Sequence, residues 1–497
     1  MMLQGMESLL IASSLMIVGF LIFHKIRRRK LEKLAEHFPG PRTLPLFGNA
    51  LMFLGKDMYG CFEIIRDVAR NSNSGFRIWF GQDLHVYLTD PKDVENVMTN
   101  PNAIEKDHVY DYFRMVADGI FSSRGKRWWK NRKLVNPAFG TKQLEHYVAT
   151  FNKHSNIFAE RVRDHCGETI NVLNLINAVT IDVLCESVLG IEIGAQSGKA
   201  SKFVQSIGVC LDIVFKRIFN IHFHSDIVFK LSPESKIFNE HVKYLHSFTS
   251  QIISKAKAER QKMKERDRKN GELKAPPTNF MEKFLTIQEE GGELTDYDIL
   301  HEVLTIIISG FDTSAMTASA VMLMLAIYPD IQEKARREAE EILSGNSASL
   351  EDINRLVYLE AVTKETLRLF GPPLFLRKIK GDVPLENCTL VEGCTTVVFV
   401  YDIHKNPKFW DSPEEFMPER FIGNSLKHRY CYLPFSSGPR NCPGQRFANV
   451  SMKLILANLL RHYKLSTHIT DWSQIKMKLD VLQKPVDGYP LKIEPLR

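Results

Sequence analysis

A single globular body held behind a single N-terminal membrane anchor, with one long buried helix at its centre, is the organisation the sequence predicts, and three observations predict it. The first residues form an uncharged apolar run closed by a cluster of basic residues. The centre of the chain carries a second, longer apolar run with helix start and stop signals at its ends. From residue 51 to residue 497, neither a repeat nor a convincing linker divides the chain.

The first run is "SLLIASSLMIVGFLIF", Ser8 to Phe23, and "HKIRRRK" follows at once, with Arg27, Arg28, Arg29 and Lys30 together. A cleaved signal peptide carries its charge before the apolar stretch and a small-residue cleavage site after it, and neither is present here. Positive charge directly after a span keeps the rest of the chain in the cytosol. Residues 1–30 are therefore expected to be an anchor and basic stop. Residues 31–50 contain "FPGPRTLPLFGN", where Pro39, Pro41 and Pro45 stiffen the chain. This stretch is expected to be a hinge that lifts the body off the membrane, with an ordinary proline-rich loop as the other reading.

Composition narrows the partners. Lys and Arg number 65 against 58 for Asp and Glu, and the net charge of +7 is too mild for a nucleic-acid binder. The eight cysteines are scattered, with no Cys-x-x-Cys pair and no His cluster at zinc spacing, so they read as reduced thiols on the cytosolic side. "SKAKAERQKMKERDRKNGELKAPPTN", Ser254 to Asn279, mixes both charges densely and reads as a solvated helix end and surface loop. Residues 51–497 are thus expected to form one domain.

The central run begins with a capping box, Thr295 and Asp298, ahead of "ILHEVLTIIISGFDTSAMTASAVMLMLAIYP", and Pro329 stops it. A helix this long spans roughly 50 Å, and being apolar nearly all round it must be buried. Within it, "SGFDTS", Ser309 to Ser314, puts a glycine, an acid and hydroxyls where each is locally unfavourable. Two readings stand: Gly310 opens a dent on the face that Thr313 shares, or Gly310 is a packing contact and the hydroxyls bond back onto their own helix.

Downstream, "YLEAVTKETLRLFGPPLF" sets Glu365 and Arg368 side by side on a helix that Pro372 and Pro373 close. "FMPERF" supplies Arg420, the third member of an Arg-Glu-Arg network if the segments meet. "PFSSGPRNCPGQRFA" then places Cys442 in a constrained loop. Gly438 permits positive φ, Pro439 fixes the next residue and Gly444 lets backbone come close, while the helix that follows favours an anion at its N-terminus. Such a loop suits a thiolate that binds iron better than a nucleophile, the other reading being a structural buried thiol.

Phe435-x-x-Gly438-x-Arg440-x-Cys442-x-Gly444 resembles the haem-binding loop of the cytochrome P450 family. In that family's order, the chain also shows Trp128-x-x-x-Arg132, Gly310-x-Asp312-Thr313, Glu365-x-x-Arg368 and Phe416-x-Pro418-x-Arg420-Phe421, so the resemblance covers essentially the whole chain. It implies a mostly α fold with small β-sheets, the cytochrome P450 fold. It also implies haem b as cofactor, with Cys442 as the axial thiolate whose electron donation favours O-O cleavage. The haem-binding positions it implies are Trp128, Arg132, Arg377, Phe435, Gly438, Arg440 and Gly444. Asp312 and Thr313 match the acid-alcohol pair that delivers protons, and Glu365, Arg368 and Arg420 match a structural network. Ser309, Gly310, Ile120, Phe121 and Leu374 are the expected lining of the substrate pocket.

The activity implied is monooxygenation of a hydrophobic small molecule at the endoplasmic reticulum membrane. NADPH-cytochrome P450 reductase is the expected electron donor, with cytochrome b5 as a second one, because the chain has no flavin or nicotinamide fingerprint. Lys126, Arg127, Lys130, Lys133 and Arg446 are the basic residues expected to face such an acidic partner, unless they are ordinary solvated charge. The loop and helix sequences look most like the clan of microsomal fatty-acid ω-hydroxylases and its insect branches. Many fatty-acid hydroxylases of that clan have a glutamate, which esterifies to haem, where this chain has Ser309, so haem is expected to be held without an ester. The alternatives are a reductase-independent haem-thiolate isomerase or dehydratase, which would be expected to lack the Asp312-Thr313 pair, and a non-catalytic haem protein, which would need no proton relay.

Overall fold

The computed structural model describes residues 19, 28–72, 75–270, 279–343, 345, 347–423 and 425–496. Apart from Gly19, the apolar run Ser8 to Phe23 lies outside the described residues, as does the Pro276-Pro277 end of the charged stretch.

The chain first builds an edge of sheet. Strands β1 (Phe76–Phe80) and β2 (Asp83–Leu88) form an antiparallel hairpin. The remaining elements that position the site are helices α1 (Gly125–Val135) and α2 (Leu173–Leu184), strand β3 (Thr169–Asn171), and helices α3 (Ser201–Phe219) and α4 (Pro233–Asn270). After them come α5 (Asp296–Ile327), α6 (Val357–Phe370), strands β4 (Phe375–Lys378) and β5 (Thr395–Val398), and helix α7 (Gln445–His462). Strands β6 (Tyr463–Ser466), β7 (Met477–Lys478), β8 (Lys484–Pro485) and β9 (Pro490–Pro495) close the chain. The largest sheet has the order β1-β2-β5-β4, with β2 and β5 parallel and the other neighbours antiparallel. Helices dominate and the sheets are small, as the family resemblance implies.

Helix α5 is the axis of the body. Thr295 Oγ1 accepts the Asp298 N-H at 3.1 Å and Asp298 Oδ2 accepts the Thr295 N-H at 3.1 Å, so both halves of the capping box form. The helix ends at Tyr328 because Pro329 disfavours helical geometry in the residue before it. Among the described residues it is the only helix long and apolar enough to cross a membrane, yet most of it is buried inside the protein. It packs against α2, α6, α7 and α4, and one hydrophobic core surrounds it.

The proline-rich stretch is laid against the body rather than standing off from it. Leu34, Ala35 and Phe38 are buried in a core with the sheet, the Arg77 N-H donates to Pro39 O at 2.9 Å, and Arg77 Nε donates to Ala35 O at 3.0 Å. Gly40 is required there, since a Cβ would lie 2.4 Å from Arg77 O. The prolines thus shape a segment docked on the body.

Candidate active site

Cys442 is the only exposed one among eight cysteines, none of which is in a disulfide. Burial nevertheless pushes its thiol pKa up, which places it deep in the protein. Its sulfur is therefore both accessible and surrounded by protein. The N-H groups of Gly444 and Gln445 and the guanidinium of Arg132 oppose that shift by favouring the thiolate. The Cys442 N-H closes the loop onto Phe435 O at 3.0 Å. Gly438 has φ 68° and a Cβ there would lie 2.1 Å from Met98 O, so both conformation and space demand glycine. Gly444 has φ −87°, and an added Cβ would make an ordinary 3.8 Å contact with Phe139. Its part is to start α7 and aim an N-H at the sulfur.

Arg440 of this loop belongs to a group of buried cations. Lys106, Arg377 and Arg440 are all buried, and Lys106 is pushed well below the usual lysine range first by burial and then by the two arginines. Lys106 Nζ lies 3.7 Å from the Phe121 ring centre and 4.3 Å from that of Tyr110. Arg440 is 3.9 Å over the buried Trp128 ring and donates to Ser123 O at 2.9 Å and Ile104 O at 3.2 Å, while its Nη2 has no hydrogen-bond partner. One carboxylate approaches, Glu105, at 3.8 Å from Arg440. Arg377 Nη2 reaches Ser436 Oγ at 3.4 Å. Buried charge is costly unless balanced, so a group with this excess of cations is built for an anion. Two carboxylates on a flat apolar body, as haem carries, fit the donors, the aromatic faces and the nearby thiol.

The other expected haem contacts divide. Arg132 donates to Asn441 O at 2.6 Å and to Asn441 Oδ1, so its guanidinium braces the cysteine loop. Lys106 was not legible: between Glu105 and Asp107 it reads as solvated charge.

On α5, Ser309 is exposed and Asp312 and Thr313 are half-buried, a break in an otherwise buried wall. The packing reading of the glycine holds, because a Cβ on Gly310 would lie 2.8 Å from Leu184 Cδ2 on α2, so that neighbour fills the expected dent. The hydroxyls bond back: Ser309 Oγ to Thr305 O at 2.7 Å, Thr313 Oγ1 to Ser309 O at 2.8 Å and Ser314 Oγ to Gly310 O at 2.7 Å. Asp312 is raised to about 7, first by burial and then by Asp480, with Lys484 opposing. It therefore holds or releases a proton near neutrality. Ile120 is buried in the core around α5, and Phe121 stands at its margin, edge-on to Phe113 at 5.2 Å. Leu374 packs instead beside a separate cluster with Phe219 and Phe399.

The Arg-Glu-Arg network assembles in full. Arg368 Nε and Nη2 each donate to Glu365 at 2.8 Å, and Arg420 Nε donates to it at 3.1 Å. Arg368 also donates to the carbonyls of His404, Pro413 and Glu415. His404, missed in the sequence, ties this network to the cysteine loop: Nδ1 donates to Arg368 O at 3.1 Å and Nε2 accepts the Leu433 N-H at 2.8 Å. Of the basic residues expected on the surface, Arg127 turns inward to Asp118, Lys130 is tied to Glu293 and Arg446 to Thr141, while Lys126 and Lys133 stay exposed.

The sequence profile of the cytochrome P450 family matches residues 38–491. Cytochrome P450 4c21 of Blattella germanica is 32% identical, across 97% of this chain and 98% of its own length. Cytochrome P450 4c3 of Drosophila melanogaster is 29% identical, across 96% and 93%. Cytochrome P450 4V2 of Homo sapiens is 30% identical, across 91% and 88%. These relatives match the clan to which the motifs point, insect branches included.

Proposed function

The chain belongs to the cytochrome P450 family and is a haem-thiolate monooxygenase, and on that premise we propose that it oxidises a hydrophobic small molecule at a membrane, with electrons from NADPH through a separate reductase. The observation that carries the reading is Cys442, an exposed thiol favoured as thiolate by two backbone N-H groups and Arg132, in a loop whose Arg440 joins buried Lys106 and Arg377 with one carboxylate, Glu105, among them. Haem b, when bound, supplies the activation of dioxygen that this chemistry needs.

The chain's own residues supply the rest. Cys442 would hold the iron of a bound haem, and Lys106, Arg377 and Arg440 would hold its two carboxylates. Asp312, poised near neutrality, passes protons from the β7–β8 side towards Thr313. Ile120 and Phe121 present an apolar wall that excludes water and turns the substrate.

Membrane association is supported by the uncharged run Ser8 to Phe23 and by two apolar surfaces. Leu46 and Leu54 are 74% and 54% exposed, and Ile227 and Leu231 are 73% and 82% exposed. Gly81 lies against both Leu46 and the Ile221 side chain, which links the first surface to the segment leading into the second. A groove holding Trp129 between Lys126 and Lys133 suits an acidic electron donor.

The test is a reduced carbon monoxide difference spectrum, followed by NADPH consumption and product formation in membranes with and without reductase. The reading expects a thiolate spectrum lost in Cys442→Ser and product only with reductase. A thiolate spectrum that survives Cys442→Ser, or turnover indifferent to reductase, would overturn it.

A further inference from the structure

The segment Asp118 to Ser123 has no regular structure of its own for most of its length, yet it runs between α5 and the cysteine loop. Three successive attachments fix it to α5. The Asp118 N-H donates to His301 Nδ1 at 3.0 Å. Gly119 lies so close that a Cβ would sit 2.2 Å from Thr305 Oγ1 and 2.8 Å from His301 O. The Ile120 N-H donates to Glu302 Oε2 at 3.1 Å. At the other end, Ser123 O accepts from Arg440, and between the two Phe121 lies under Lys106.

Glu302 is the unexpected member. It is 1% exposed, and its neighbours along the helix, Val303, Leu304, Ile306 and Ile307, are apolar and buried. Its other oxygen, Oε1, accepts from Asn131 Nδ2. Asn131 lies on α1 between Trp128 and Arg132, so one carboxylate joins three elements: α5, the helix beside the cysteine loop and the pocket segment. Burial raises its carboxyl to about 7, a cost that packing alone would not require, since an apolar residue would fill the space. What an apolar residue could not do is accept two N-H groups converging from different elements.

We propose that Glu302 is a positioning residue for substrate selectivity: by pinning the Ile120 backbone to α5 and to Asn131, it fixes where Ile120 and Phe121 stand in the pocket wall and hence which part of a substrate is presented for oxidation. This rests on the monooxygenase reading only for what the pocket does, not for how the segment is held.

Two readouts on the holoenzyme separate those layers. Hydrogen-deuterium exchange of a peptide spanning residues 117–123 reads the clasp itself. Spectral titration with 4-phenylimidazole against imidazole reads the wall, because both bind iron but only the former reaches into the pocket. Glu302→Leu is expected to speed exchange of that peptide by about tenfold and to change the ratio of the two dissociation constants by about fivefold. Glu302→Gln is expected to stay within about twofold of the parent, since turning the Asn131 amide lets the glutamine satisfy both partners. Where Glu302→Leu fails to hold haem, Asn131→Leu removes one attachment and is expected to move both readouts by about threefold in the same direction.

Unchanged exchange in Glu302→Leu, or in Asn131→Leu where that variant stands in, overturns the proposal. So does faster exchange with an unchanged ratio, which would make Glu302 a stabilising contact with no hold on the wall. If the parent binds neither azole at its iron, the reading of the site fails while the exchange arm still decides whether Glu302 holds the segment.

Discussion

Two buried charge clusters flank the cysteine loop and are built on opposite rules. In the first, Glu365, Arg368 and Arg420 are mutually paired, and the remaining donors of Arg368 end on carbonyls. In the second, Lys106, Arg377 and Arg440 crowd one another with a single carboxylate, Glu105, 3.8 Å from Arg440, and a guanidinium nitrogen without a hydrogen-bond partner. The difference teaches how to tell a brace from a seat. A balanced cluster is complete within the chain and fixes geometry, whereas an unbalanced one is stable in function only when something else brings the missing charge.

The largest effect is expected where balance is broken. Glu365→Gln leaves two buried guanidinium groups without a counter-charge, and stability is expected to fall by about 3–5 kcal/mol. Urea unfolding of the holoenzyme checks this, and Arg368→Lys is expected to fail nearly as badly because the two parallel bonds to Glu365 need the planar fork. A loss no larger than that of an ordinary surface change would mean the network is not the brace described.

Smaller effects separate the clusters by pH. Burial depresses His404 to about 3, so it stays neutral in the folded brace while the unfolded chain takes up a proton below its ordinary value of 6.5. Its contribution is present above that value and is lost as pH falls towards 3. Asp312, on the cavity wall, is raised to about 7 from 3.8. The folded chain then holds a proton that the unfolded chain releases, so stability falls as pH rises from about 4 to about 7 and is level above. Asp312→Asn is expected to remove that slope, worth about 2 kcal/mol after allowing for the water that reaches the cavity. Thermal unfolding between pH 4 and 8 compares the variant with the parent; parallel curves would mean that Asp312 ionises freely.

Acidic organic solvent is expected to release all haem unmodified, before and after turnover, because the Ser309 hydroxyl cannot form the ester that a glutamate forms. Chromatography of the denatured protein checks this, and haem travelling with the polypeptide would contradict it.

Much of this was legible in the sequence because it is local. The capping box, Pro329, the positive φ of Gly438 and the i, i+3 pair of Glu365 and Arg368 each follow from neighbours along the chain. The unread residues act across it. Lys106 meets Arg377 and Arg440, Glu302 meets Ile120 and Asn131, and His404 meets Leu433, all through folding that no spacing reveals. Gly310 left two readings open for the same reason: the partner that decides for packing, Leu184, lies on another helix.

The central claim, that the unbalanced cations seat two carboxylates, is tested most directly by a double comparison. Chain produced without haem would be titrated with haem and with haem dimethyl ester, in the parent and in Lys106→Met. The account predicts that the parent prefers the free dicarboxylate and that Lys106→Met reduces that preference about tenfold, through weaker binding of haem with little change for the ester. An unchanged preference, with both ligands weakened alike, would show that Lys106 supports packing only and would contradict the account.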